Sequence, residues 1–134
     1  MAQILVMEDC SIQALMLADL LEIEGHEAAI THSSGEAIAH VDGPAKVDLL
    51  ITDIFDAGSQ NGDGSEDGFA LINHIRNHRD HSIRRTPIVS ISGISLEAAR
   101  ERSEAAVSEH TSDMHFTKPV KMDQLTSAVA RLLA

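Results

Sequence analysis

The sequence predicts an α/β fold: five parallel strands in the order 2-1-3-4-5, doubly wound as (βα)5 with helices on both faces of the sheet. Three observations carry this reading. Short, almost wholly apolar runs recur without polar alternation, most clearly at 4–7, 47–53 and 87–93. Such runs suit strands buried on both faces, as in parallel sheets. Segments with apolar residues at helical spacing separate them, which is the alternation of a doubly wound sheet. The runs also end abruptly in polar groups: Glu8-Asp9, Asp53, Ser92 and Lys118. Open parallel sheets bind ligands just past the carboxyl ends of their strands.

Ile4-Leu5-Val6-Met7 is the first strand. Ser11 is the expected cap of a first helix, with Ile12, Leu15, Met16, Leu20 and Ile23 as its apolar set and Gly25 as its stop. Ala28-Ala29-Ile30-Thr31 is a weak second strand. Ser34-Gly35-Glu36 opens a short helix to about Val41, broken by Asp42-Gly43-Pro44. The third strand spans 47–53 and ends in Asp53. The stretch 56–67, rich in Gly and acid, reads as a loop. Gly68-Phe69 starts a helix carrying Leu71, Ile72 and Ile75, which fades in the polar residues 77–85. Strand four lies in 87–93, an Ala- and Glu-rich helix in 95–108, strand five in 114–117 and a last helix in 122–133.

With 134 residues the chain reads as one domain, 1–134, with an acidic loop insertion at about 56–67. Hydrophobic residues make up 43% of it, enough for a core, and no run is long enough to span a bilayer. The first residues lack the basic region and cleavage site of a secretory signal. A single cysteine, Cys10, excludes an internal disulfide framework and fits a reducing cytoplasm, the expected location. A net charge of −11 excludes general binding to nucleic acid, which needs clustered Lys and Arg.

In the order 2-1-3-4-5 the first and third strand ends are neighbours, so Glu8, Asp9 and Asp53 converge, with Ser92 and Lys118 on the far side of Asp53. Like charges about 4 Å apart cost on the order of 4 kcal/mol at an effective dielectric near 20. A hard divalent cation relieves this, and Mg²⁺ prefers one or two carboxylates with phosphate and water. The Asp53 carboxylate can act as nucleophile toward a phosphoryl group. Lys118 supplies a second cation and Ser92 a hydroxyl donor.

The chain resembles the receiver domains of two-component response regulators, the CheY-like superfamily with a flavodoxin-like fold. The resemblance rests on Leu5-Val6-Met7-Glu8-Asp9, Asp48-Leu49-Leu50-Ile51-Thr52-Asp53, Asp67-Gly68-Phe69-Ala70-Leu71-Ile72, Pro87-Ile88-Val89-Ser90-Ile91-Ser92-Gly93 and Phe116-Thr117-Lys118-Pro119. It implies that Asp53 accepts a phosphoryl group from a sensor histidine kinase or a histidine phosphotransfer protein. It further implies Mg²⁺ held by Asp9, Asp53 and the main-chain carbonyl of Phe55, with Glu8 acting largely through water. Ser92 and Lys118 contact the phosphoryl oxygens, and Lys118-Pro119 is a cis peptide. The protein would be no turnover enzyme beyond its own phosphorylation and dephosphorylation, and an unidentified downstream protein would read its state.

Three departures from the family pattern matter. The loop after Asp53 is about seven residues longer, delaying Asp67-Gly68, and Ala57 replaces a common proline. His115 stands three residues before Lys118, where the family carries the Tyr or Phe of its switch. Phe55 and Ile94 lie two residues after Asp53 and Ser92, where the family's side chains flank the path of the hydrolytic water. Two apolar groups there predict slow self-dephosphorylation.

Other readings are weaker. A degenerate receiver serving as a constitutive interaction module is favoured by His115 and the long loop, and opposed by the intact carboxylate–lysine set. An aspartate-nucleophile phosphohydrolase needs a second Asp where Phe55 stands. A flavin mononucleotide carrier needs a phosphate-cradling loop where Glu8-Asp9-Cys10 stands. The loop lacks the EF-hand spacing, with Asn61 and not Gly at the sixth position from Asp56. Cys10 reads as a packing residue beside acids that blunt its reactivity. His74 and His78 stand four apart on a helix, but the sequence offers no third metal ligand, so they read as a solvated face.

Overall fold

The computed structural model describes residues 2–54, 68–93 and 112–134. Within them five parallel strands form one sheet in the order β2-β1-β3-β4-β5. The strands are β1 (Gln3–Met7), β2 (Glu27–Thr31), β3 (Leu49–Asp53), β4 (Ile88–Ser92) and β5 (Met114–Thr117). The helices are α1 (Ser11–Ile23), α2 (Ser34–Asp42), α3 (Gly68–Arg76), a one-turn α4 (His81–Arg84) and α5 (Met122–Leu133). The expected α/β class and strand order are therefore observed. The helix expected in 95–108, the loop 56–67, Phe55 and Ile94 lie outside the described residues.

β3 and β4 are buried along their whole length, as strands covered by helices on both faces require. Alternate residues feed two cores. On one face Leu5, Leu50 and Ile88 pack with Leu71, Ile72 and Ile75 of α3 and with Ala37 and Val41 of α2. On the other, Ile4, Val6, Ile51 and Val89 pack with Leu17 and Leu21 of α1 and Leu125 and Val129 of α5.

Four expectations are corrected. β3 begins at Leu49, two residues later than the apolar run, because Asp48 is used as a clamp. Its backbone N–H donates to the Gln3 carbonyl at 2.7 Å, and its Oδ2 accepts from the Gln3 N–H at 2.8 Å. The cap of α1 is Cys10 and not Ser11, and no side chain bonds there. The apolar set of α1 has the wrong phase: Ala14, Leu17, Ala18 and Leu21 are buried, while Ile12, Leu15, Met16 and Ile23 are exposed. The helix is apolar nearly all round, so periodicity alone offers two faces. The two alanines let α1 lie close to the sheet. Finally, the polar stretch after α3 forms α4, because the Asp80 carboxylate caps it by accepting from the Ser82 N–H at 2.9 Å.

Gly25 ends α1 as expected. Its φ of +89° lets the Gly25 N–H reach the Glu22 carbonyl and the His26 N–H reach the Leu21 carbonyl, both at 3.0 Å. α2 is capped by Ser33, whose hydroxyl accepts from the Glu36 N–H at 3.1 Å.

Candidate functional site

The register decides which strand ends meet. Met7 lies opposite Thr52, so Glu8 leaves β1 level with Asp53, the last residue of β3. Asp53 lies opposite Ile91 and Ser92 opposite Thr117, which brings Ser92 and Lys118 to the other side of Asp53. The Lys118 N–H donates to the Ser92 carbonyl at 2.7 Å, locking the last two strand ends together. The Lys118-Pro119 peptide is cis.

Carboxylate oxygens of Glu8, Asp9 and Asp53 lie within 4.8 Å of one another. Glu8 and Asp53 are buried and Asp9 is exposed, so the cluster opens to solvent on the Asp9 side. Glu8 is held at both oxygens: Oε1 accepts from the Cys10 N–H at 3.2 Å and Oε2 from Lys118 Nζ at 3.1 Å. Lys118 Nζ also lies 3.7 Å from Asp53 Oδ1. Burial pushes the Glu8 carboxyl above its ordinary value; the Lys118 charge opposes that shift and a hydrogen bond with Asp9 adds to it. One ammonium thus faces three carboxylates. All the donor atoms are hard oxygens, one carboxylate is open to water, and the set fits Mg²⁺. Glu8, Asp9 and Asp53 are the described residues able to hold it.

Ser92 is fully buried at its strand end. His115 is half-buried on the same face of the sheet as Ser90, and its Nδ1 lies 2.7 Å from Ser90 Oγ. Ser90 Oγ also donates to Ser112 Oγ at 2.9 Å. Sequence reasoning missed Ser90. Ser90 and Ser92 share one strand face by the period of two, but only the pairing with His115 on β5 gives Ser90 a role.

No family model matches the chain, and no curated protein matches it. Solved structures do. The signal receiver domain of a signal transduction histidine kinase from Syntrophus aciditrophicus is 28% identical, with a TM-score of 0.78, over 99% of this chain and 90% of that one. The chain has the fold of the response-regulator receiver domains of the CheY-like superfamily. Response regulator TrrA from Thermotoga maritima, in complex with Mg²⁺ and BeF, is 25% identical with a TM-score of 0.73, covering 99% of this chain and 100% of its own. The receiver domain of sensor histidine kinase PA1611 from Pseudomonas aeruginosa, with a magnesium ion in its active-site cleft, has the same fold at 19% identity. Its TM-score is 0.78 over 98% of this chain and 97% of its own. Receiver domains of histidine kinases and response regulators thus recur among the solved structures that share this fold. Among the described residues, no helix is long and apolar enough to cross a membrane.

Proposed function

We propose that this receiver domain is a phosphoacceptor switch: Asp53 takes a phosphoryl group from a phosphohistidine in a Mg²⁺-dependent reaction, and the product state alters binding to a downstream protein. The observation that carries the reading is the convergence of Glu8, Asp9 and Asp53 within 4.8 Å, with Lys118 Nζ 3.7 Å from Asp53 Oδ1. With Mg²⁺ held by the carboxylates, the ion and Lys118 would together neutralise an incoming phosphoryl group and leave the Asp53 carboxylate as nucleophile.

A carboxylate oxygen of Asp53 attacks phosphorus as the phosphorus–nitrogen bond to the donor imidazole breaks. The ring nitrogen keeps the electron pair and takes a proton from water, and Asp53 becomes an acyl phosphate. Mg²⁺ supplies charge neutralisation at the phosphoryl oxygens when bound. Lys118 leaves Glu8 and turns to a phosphoryl oxygen. The Ser92 hydroxyl donates to another, which draws the end of β4 toward Asp53. The position two residues after Asp53, where an aspartate-nucleophile phosphohydrolase needs a second Asp, is Phe55, so the protein acts as a single-turnover acceptor and not as a phosphatase.

The donor is a sensor histidine kinase or a phosphotransfer protein. Its docking surface is the exposed apolar stripe of α1, where Ile12, Leu15, Met16 and Ile23 fall on one side. The stripe continues into a groove lined by Glu8, Met16, Lys118, Pro119 and Met122, so it borders the acceptor cluster directly. An apolar face beside a reacting group suits a partner that must hold its histidine there.

The test is intact-mass analysis after incubation with acetyl phosphate and Mg²⁺, beside Asp53→Asn and a chelator control. One phosphoryl group on the wild type, absent from both controls, is the expected result. No adduct on folded protein would favour a constitutive interaction module.

A further inference from the structure

We propose that Asp42, His74 and His78 form a second cation site, specific for zinc-type divalent ions, at the end of the sheet opposite Asp53. The third ligand that the sequence lacked comes from another helix. Asp42 is the last residue of α2, His74 lies in the last turn of α3, and His78 follows it. In a doubly wound sheet the helices run back against the strands, so these helix ends lie far from the carboxyl ends of the strands.

The two rings converge on one oxygen. Nε2 of His74 lies 2.9 Å from Asp42 Oδ1, and Nε2 of His78 lies 3.0 Å from the same atom. The rings meet edge to face, with centroids 5.6 Å apart. In a tetrahedral zinc site with bonds of roughly 2.0–2.1 Å, neighbouring ligand atoms are about 3.3 Å apart. The nitrogen–oxygen separations therefore need to open by only a few tenths of an ångström to admit the ion. Two imidazoles and one carboxylate are a borderline-soft set that zinc accepts and Mg²⁺ does not. The partial negative charge at two helix ends favours a cation. Hydrogen bonding from His74 holds the Asp42 carboxyl below the usual carboxylate range, so it is ionised at neutral pH. The Asp42 side chain is 44% exposed, leaving the remaining coordination position to water.

One contact must change. Each Nε2 now carries the proton it shares with Asp42; on binding zinc, that proton moves to Nδ1 of the same ring. At His78 the Nδ1 atom accepts from the Asp80 N–H at 2.9 Å, so this exposed hydrogen bond has to open. Asp80 is the cap of α4, which makes its amide a reporter of ion binding.

The experiment is a zinc titration of the intact chain by calorimetry and by amide NMR, with Mg²⁺ in excess to occupy the carboxylate cluster. Expected are one zinc per chain and shifts centred on Asp42, His74, His78 and the Asp80 amide. Asp42→Asn and His74→Gln should each bind zinc at least about tenfold more weakly, with circular dichroism showing that both variants fold. Several results would overturn the site: no saturable binding, equal binding by both variants, shifts centred on Glu8, Asp9 and Asp53, or one zinc shared by two chains. A pair held only by hydrogen bonds would leave the Asp80 amide unmoved.

Discussion

At the scale of the residue, Lys118 bridges Glu8 and Asp53 and holds in place a cluster that would otherwise repel itself. The balance at Glu8 still disfavours charge, because burial outweighs the lysine. A carboxyl whose folded value lies above its ordinary 4.5 stabilises the fold fully below that value and loses the contribution as pH rises through the raised one. In chelator, thermal stability should therefore fall over that window. Glu8→Gln should flatten the fall and weaken the stabilisation that Mg²⁺ gives the wild type, both read from melts across pH. A wild-type profile that rises instead would contradict the burial argument. Ser90 and His115 support a second prediction. Ser90→Ala removes a buried partner from His115 Nδ1 and should cost about 1–2 kcal/mol in urea unfolding. Asp53 was legible in the sequence because a carboxylate closing an apolar run is conspicuous. Ser90 was not, because a hydroxyl inside a strand acquires meaning only from what the next strand places beside it.

At the scale of the element, α1 shows what periodicity leaves open. Its buried face includes two alanines, and larger apolar side chains face water. Leu15→Asp should change stability by less than about 0.5 kcal/mol. It should slow phosphorylation by a histidine donor while leaving the reaction with acetyl phosphate unchanged; equal rates with the donor would remove α1 from the docking surface. The end of α1 is set by local chemistry. Gly25 adopts a φ of +89°, a region that costs an L-residue about 1–2 kcal/mol, so Gly25→Ala should lower stability by that order in urea unfolding. The glycine was readable from sequence because that requirement is local. The phase of the helix was not, because the choice of face depends on how closely the helix can approach the sheet.

At the scale of the whole molecule, a net charge of −11 sits on 134 residues, so the folded state repels itself. Added monovalent salt should raise the melting temperature from its low-salt value by screening that repulsion. A flat response would locate the effective repulsion inside the buried cluster, where salt screens poorly. The sequence by itself determined the strand runs, their order in the chain and the polar groups that close them, because these follow from local periodicity and from one sheet topology. It also carried the two histidines of the second cluster. Only the tertiary structure decided the partners: Asp42 for the histidines, Ser90 for His115, Gln3 for Asp48, and water for the outer face of α1. Each of these depends on the separation of atoms distant in sequence, which is set by how helices seat on the sheet and is not encoded in any one segment.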